Sequence, residues 1–338
     1  MLILNATEVR QALPMAAAIG AMRGAFAALT QGRAQVPARI ALGGPDGGTT
    51  LVMPALLEAG DSRALTVKAV SVFPANRAKN LPLIHAAVLV IDPETGKVDA
   101  LLEGGALTAI RTGAASGLAT DLLAQPGSRV AAIFGSGKQA RTQLEAVCTV
   151  RPIKKVWVCS PTPGHAEAFA EQVAGRGWVP PEVSCTRDPR EAVAAADVIC
   201  TATTSPTPVF DDRDLKPGVH INAVGSFQPH IREVPGETVA RSRIFVDSRE
   251  AALEEAGDIL QAIDAGLISA ADILAEIGEL ALDQANGRAA NGRTMNGRTA
   301  NDQITFFKSV GVAVQDAAAA RVVLESAARM GLGQRVDW

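Results

Sequence analysis

The segment VAAIFGSGKQARTQLEAV, Val130 to Val147, joins an apolar run, a pair of glycines and a helix-like pattern. Gly135 lets a strand turn sharply. Gly137 removes a side chain, so a pyrophosphate can approach backbone N–H groups at the helix start. The helix dipole then favours the anion. Ala140 stands where a third glycine would, a replacement the dinucleotide-binding pattern tolerates. The next apolar run ends in Ser160, Pro161 and Thr162 rather than in Asp or Glu. A carboxylate there would bind the ribose hydroxyls of NAD, whereas hydroxyls can hydrogen-bond a 2′-phosphate. The expected cofactor is NADPH, with NADH as the alternative.

The elements around this loop are legible. Apolar runs at RVAAIFG, KKVWVCS, EVSCT, ADVICTAT, GVHINAVG and SRIFVDS alternate with helical patterns at Lys138 to Thr149, His165 to Ala174 and Arg190 to Ala195. Strand-helix alternation of this kind predicts a doubly wound parallel α/β sheet of six strands. Ahead of it, Val36 to Leu101 breaks into short β-like runs separated by Gly, Pro, Asp and Asn, which predicts a meandering, largely antiparallel sheet. Thr7 is the expected N-cap of a first helix, Pro14 opens a second and Gly32 closes it. GGALTAIRTGAASGLATDLLA reads as a helix rich in small residues, and a last helix spans about Gly311 to Met330 after ITFFKSVG.

The chain has 338 residues, enough for two domains, with 48% hydrophobic and 20% charged residues. Its formal net charge of −3 argues against general attraction to nucleic acid or an acidic membrane, and the apolar stretch from Pro14 to Leu29 is interrupted by Arg23. Cys148, Cys159, Cys185 and Cys200 lie in apolar stretches without a C-x-x-C pair and read as buried thiols of a cytoplasmic protein. No His, Cys or carboxylate spacing suggests a metal site. Asn286 to Asn301, a crude Asn-Gly-Arg repeat, reads as an exposed loop of little fixed structure.

The motifs LVMPAL, TVKAV, DPETGKVDALLEGGALTAIRTGAAS, IFGSGKQA, HINAVGSFQPHIREV and FFKSVG occur in an order that resembles the ornithine cyclodeaminase/mu-crystallin family over nearly the whole chain. That family also includes archaeal-type alanine dehydrogenases and cyclic ketimine reductases. The resemblance implies a Rossmann-type nucleotide domain, residues 126–302, nested in an α+β substrate and dimerisation domain formed by residues 1–125 and 303–338. It also implies a homodimer. Arg39, Lys68 and Arg111 match positions that hold a substrate's α-carboxylate and its imine or amine; Lys68 and Arg111 are the expected catalytic pair. An arginine fork can clamp a carboxylate, and a lysine in an apolar strand can have a lowered pKa and trade protons. Alternation alone leaves Lys68 either inward or on an exposed face.

Met53, Phe227, Ser309 and Gly311 match substrate-side positions by the same resemblance. His85 is either a second donor to the substrate or a hydrogen-bonded core histidine. Lys308 can equally be an exposed lysine at a helix start. Cofactor contacts carried over are Thr112, Gly135, Ser136, Gly137, Lys138, Gln139, Thr201, Asn222, Ala223 and Val224, with Ser160 and Thr162 at the ribose end. One departure chooses among reactions. Cyclodeaminases and the related alanine dehydrogenases carry an aspartate after the fifth strand, and this chain reads Gly225-Ser226-Phe227-Gln228-Pro229. Phe227 cannot accept a proton. Three cations without a carboxylate fit reduction of a preformed cyclic ketimine, Δ1-pyrroline-2-carboxylate to L-proline or Δ1-piperideine-2-carboxylate to L-pipecolate. The alternatives are a cyclodeaminase or alanine dehydrogenase with a relocated acid, and a non-catalytic binder of nucleotide and a small ligand.

Overall fold

The computed structural model describes residues 1–59, 62–79, 81–286 and 297–337. They form two compact units, Met1–Arg111 with Val312–Trp338, and Thr112–Gly311.

The first unit holds β1 (Leu2–Leu4), α1 (Ala6–Ala12), α2 (Met15–Thr30), β2 (Ala34–Gln35), β3 (Ile40–Gly43), β4 (Thr49–Ala59), β5 (Ser62–Val72), β6 (Ile84–Ile91) and β7 (Val98–Glu103). It also contains the start of α3 (Gly104–Leu123), and it closes with the chain's last two elements, α11 (Ala313–Met330) and β16 (Gln334–Arg335). The sheet runs β16-β1-β7-β6-β5-β4-β2, with β3 also on β4. From β4 to β7 it is the expected antiparallel meander, and β1 joins β7 in parallel.

Period-two alternation gives the sheet an inner face of Met53, Ala55, Leu57, Ala64, Thr66, Lys68, Val70, Val88, Val90, Ala100 and Leu102, all buried. The helices α2 and α11 pack together, and both lie on β4. The alternate residues Val52, Pro54, Leu56, Leu65, Val67 and Leu89 keep solvent exposure, so the other face is apolar and open. Among the described residues no single helix is long and apolar enough to cross a membrane; α1 and α2 pass that test only as a pair bent by 78°.

Asn5, not Thr7, caps α1: its side chain accepts from the N–H groups of Thr7 and Glu8, and Glu8 returns a bond to the Asn5 N–H. A reciprocal capping box satisfies more orphan N–H groups than a lone Thr7 hydroxyl could. Pro14 and Gly32 bracket α2 as expected, with Gly32 at φ +69°.

The second unit is an eight-stranded, all-parallel sheet. Its elements in chain order are β8 (Val130–Phe134), α4 (Lys138–Val150), β9 (Lys155–Cys159), α5 (Pro163–Val173), β10 (Glu182–Thr186), α6 (Pro189–Ala194), β11 (Val198–Thr201), β12 (His220–Ala223), α7 (Gly236–Ala240), β13 (Arg243–Val246), α8 (Arg249–Glu255), α9 (Gly257–Asp264), β14 (Ile273–Glu276), α10 (Ile277–Asn286) and β15 (Thr305–Lys308). The strand order is β10-β9-β8-β11-β12-β15-β13-β14. The order reverses between β8 and β11, and ligands of such sheets bind outside the carboxyl ends of the strands at that point.

Two strands exceed the expected six. The run TFFK, expected only as a lead into the last helix, forms β15 between β12 and β13, with all four residues buried. A strand buried on both faces shows no alternation, so four residues, of which only Phe306 and Phe307 are apolar, carry little local signal. Two apolar clusters contain alternate residues of the same strands: Ala131 and Ile133 with α4 and α5, and Ala132 and Phe134 with α6, α7 and α9.

Cys148, Cys159 and Cys200 are buried thiols, but Cys185 is exposed, because the edge strand β10 leaves it only partly covered. The Asn-Gly-Arg repeat lies outside the described residues from 287 to 296. Arg298, the last residue of the repeat's final copy, donates to Leu123 O (3.1 Å), Thr305 Oγ1 (3.1 Å) and Gln303 O.

Candidate functional site

In the second unit the glycine loop has the expected form. Gly135 sits at φ +103°, and a Cβ there would lie 2.6 Å from Ala202 O, so both conformation and space require glycine. Gly137 differs. It is the N-cap of α4, offers no side-chain oxygen to the first turn, and a Cβ on it would meet nothing within 4 Å. Its glycine is not forced by protein packing, and it leaves an open approach to the helix N-terminus that an anion could use. Ala140 is buried among residues of the core beneath α4. Ser136 and Gln139 are half-buried, and Lys138 is exposed at the first helical position. Thr112 is buried on α3, and its carbonyl accepts from Gln143 Nε2 at 3.3 Å. At Gly113 α3 passes so close to α4 that an added Cβ would lie 2.5 Å from Thr142 O.

At the end of β9, Ser160 is buried and accepts weakly from the Thr162 N–H at 3.4 Å, while Thr162 is exposed. Asp188, which caps α6, lies close enough to add to the effect of burial in raising the Cys159 thiol to about 11.

Beyond β11 and β12 the side chains are committed to structure. Thr201 Oγ1 donates to Glu233 Oε2 at 3.0 Å. Asn222 donates to Thr120 Oγ1 at 3.0 Å, and its Oδ1 lies 3.2 Å from His220 Nε2. These two residues, with Ala223 and half-buried Val224, can therefore serve a nucleotide through backbone and shape rather than side-chain bonds. Burial first, then the charge of Arg298, lowers His220 to about 3 and keeps it neutral.

Two acids that the motifs above gave no role, Glu233 and Asp258, gather around Lys308 in the structure. The Glu233 carboxylate accepts five hydrogen bonds: Thr203 N (2.6 Å), Thr203 Oγ1 (2.7 Å), Thr201 Oγ1, Gly225 N (2.7 Å) and Ser226 N (3.2 Å). A Cβ at Gly225 would strike Glu233 Oε1 at 2.4 Å. Lys308 is not an exposed helix-start lysine. It is fully buried on β15 because its neighbours satisfy its charge: Nζ donates to Asp258 Oδ2 (2.6 Å), Ser226 O (2.6 Å) and Ser226 Oγ (3.0 Å). Burial raises the Glu233 pKa, and the Asp258 charge adds to this. At Asp258 burial is outweighed by Lys308, and the pKa falls. Asp247 Oδ2 accepts from Ser309 Oγ and Gly311 N, both at 2.7 Å, which fixes the turn after β15 with Gly311 at φ +85°. Phe227 is 36% exposed.

In the first unit Lys68 points inward from β5, which settles the alternation, and it is 1% exposed. Its Nζ is 2.5 Å from Asp316 Oδ2. Arg111 Nε donates to Asp316 Oδ1 at 3.1 Å, and its Nη1 donates to Gln315 Oε1 at 2.8 Å. Burial lowers Lys68 to about 8; Asp316 opposes the shift, while Arg111 and Arg39 add to it. Half-buried Arg39 precedes β3, and buried Met53 is the cross-strand partner of Lys68.

Two expectations are corrected. The basic group does not lack an acid: Asp316 of α11 sits between Lys68 and Arg111, since two desolvated cations side by side need a counter-charge. It was findable as a lone carboxylate in the buried alanine stripe VAVQDAAAA. His85 is not a core histidine; it is exposed on β6 opposite Ser71. Gln315 Oε1 accepts from both Arg111 Nη1 and Val312 N, so its amide orientation is fixed, and its buried Nε2 has no partner, a donor left for an acceptor.

Residues 1–331 match the ornithine cyclodeaminase/mu-crystallin family. A Δ1-pyrroline-2-carboxylate reductase of Bacillus cereus is 38% identical over 340 residues, covering 100% of both chains. Among solved structures, Thermococcus litoralis Δ1-pyrroline-2-carboxylate reductase in complex with NADH and L-proline superposes with a TM-score of 0.92 at 40% identity, over 99% of this chain and 100% of that one. An archaeal alanine dehydrogenase dimer with bound NAD gives a TM-score of 0.89 at 33% identity, over 100% and 99%.

Proposed function

The chain belongs to the ornithine cyclodeaminase/mu-crystallin family, and on that premise we propose that it is an NAD(P)H-dependent reductase of cyclic ketimino acids, converting Δ1-pyrroline-2-carboxylate to L-proline. The observation that carries this reading is the end-to-end similarity, in sequence and in fold, to reductases of that substrate. The residues of the chain fit it. The Gly135–Gly137 loop and the start of α4 would hold the dinucleotide, which when bound would supply the hydride for the imine carbon. Arg111 retains its Nη2 edge for the substrate carboxylate while α11 holds its Nε. Lys68, kept charged by Asp316, donates a proton to the imine nitrogen. Burial of this group keeps water out and strengthens each contact.

Reduction is favoured over amine loss because no carboxylate is available after β12. Phe227 replaces it, and both oxygens of Glu233 are already engaged by five donors. The likeness to a reductase solved in complex with NADH makes NADH the first partner and NADPH the second. A second copy covering the apolar outer face of the first unit's sheet makes the protein a homodimer, and the four free thiols suit the cytoplasm.

The test is to incubate the purified protein with Δ1-pyrroline-2-carboxylate or Δ1-piperideine-2-carboxylate and either reduced dinucleotide. Loss of nicotinamide absorbance with formation of L-proline or L-pipecolate is expected. No oxidation above background with any cyclic ketimine overturns the proposal, and ammonia release from ornithine would replace it with cyclodeamination.

A further inference from the structure

We propose that Glu233 is a positioning residue whose ionised carboxylate clasps the loop after β11 to the loop after β12, and that the cluster it belongs to favours the oxidised nicotinamide over the reduced one. The inference rests on dinucleotide binding by the second unit. Thr203 follows β11, and Gly225 and Ser226 follow β12. Their three backbone N–H groups converge on one carboxylate from two chain segments. Backbone N–H groups can only donate, and with the hydroxyls of Thr201 and Thr203 the five donors exceed the lone pairs left on a protonated acid, so the carboxylate meets them best.

These loops are at the switch point. The residue before Thr203, Ala202, places its carbonyl 2.6 Å from where a Gly135 Cβ would be. The clasp therefore holds the wall beside the glycine turn, at the carboxyl ends of the central strands where a dinucleotide crosses. Lys308 balances Asp258, and Glu233 remains as one unbalanced negative charge, fully buried with them. The oxidised nicotinamide ring carries a positive charge and the reduced ring does not. A fixed anion in a poorly screened site binds the former better. The sign suits a reductase, because tighter holding of the oxidised form makes the bound reduced form a stronger hydride donor.

The experiment measures dissociation constants of the full-length protein for NADH, by its fluorescence, and for NAD+, by displacement. Loss of packing alone weakens both forms alike and leaves their ratio unchanged. Glu233→Gln is expected to raise the ratio of the NAD+ constant to the NADH constant at least fivefold. Lys308→Met, which adds to the unbalanced charge, is expected to lower it, and decides the matter if Glu233→Gln does not fold. Ratios within twofold of wild type in the folded variants overturn the inference alone. Wild-type protein that binds neither form overturns both the inference and the dinucleotide reading beneath it.

Discussion

Replacing Asp316 by Asn removes the one group that raises the Lys68 pKa, while burial and the charges of Arg111 and Arg39 remain. With its pKa at about 8, Lys68 is about three-quarters protonated at pH ~7.5. Buried lysines without a counter-charge fall to about 5 to 6. The protonated fraction at pH ~7.5 then drops to about 3% or less, and with the ammonium as the proton donor kcat falls roughly 25- to 240-fold. The fold has a way to tolerate the change. Asn Oδ1 can still accept from Arg111 Nε, and its amide can donate to the neutral amine, so the variant avoids much of the ~3–5 kcal/mol expected for an unpaired buried charge. The assay is the pH profile of ketimine reduction. Wild type should lose activity as pH rises through about 8. The variant should show the same limb shifted down by two units or more, with activity recovering in mild acid. A variant limb that coincides with wild type would refute the role given to the Lys68–Asp316 pair.

Other expectations follow from single contacts. Gly137→Ala should keep the wild-type melting temperature, because its Cβ meets nothing, yet weaken NADH binding at least tenfold by calorimetry. Gly135→Ala, strained at φ +103° and against Ala202 O, should lower stability by about 1–3 kcal/mol in denaturant unfolding. His220 is neutral in the fold at about 3 and titrates near 6.5 when unfolded, so the unfolded chain binds more protons between those values. Its share of stability, up to about 4–5 kcal/mol, is therefore present above pH ~6.5 and lost as pH falls toward ~3; His220→Gln should flatten that slope in acid unfolding. Leu89→Lys, on the open face of the first sheet, should shift sedimentation from dimer to monomer with the secondary structure retained.

The sequence by itself determined what depends on neighbours along the chain. Apolar runs and their spacing set most strands and helices, Gly135 and Gly137 marked the phosphate turn, and Phe227 marked the missing acid. Family motifs picked out Lys68 and Arg111. Tertiary structure decided what depends on distant partners. Asp316 meets Arg111 across 205 residues, and Lys308 meets Asp258 across 50. Whether a charged residue is solvated or buried depends on finding an opposite charge and enough donors where the fold brings it, and no local pattern carries that information. The same reason hid β15: a strand flanked by strands on both sides is recognised by its pairing, and pairing is a property of the assembled sheet.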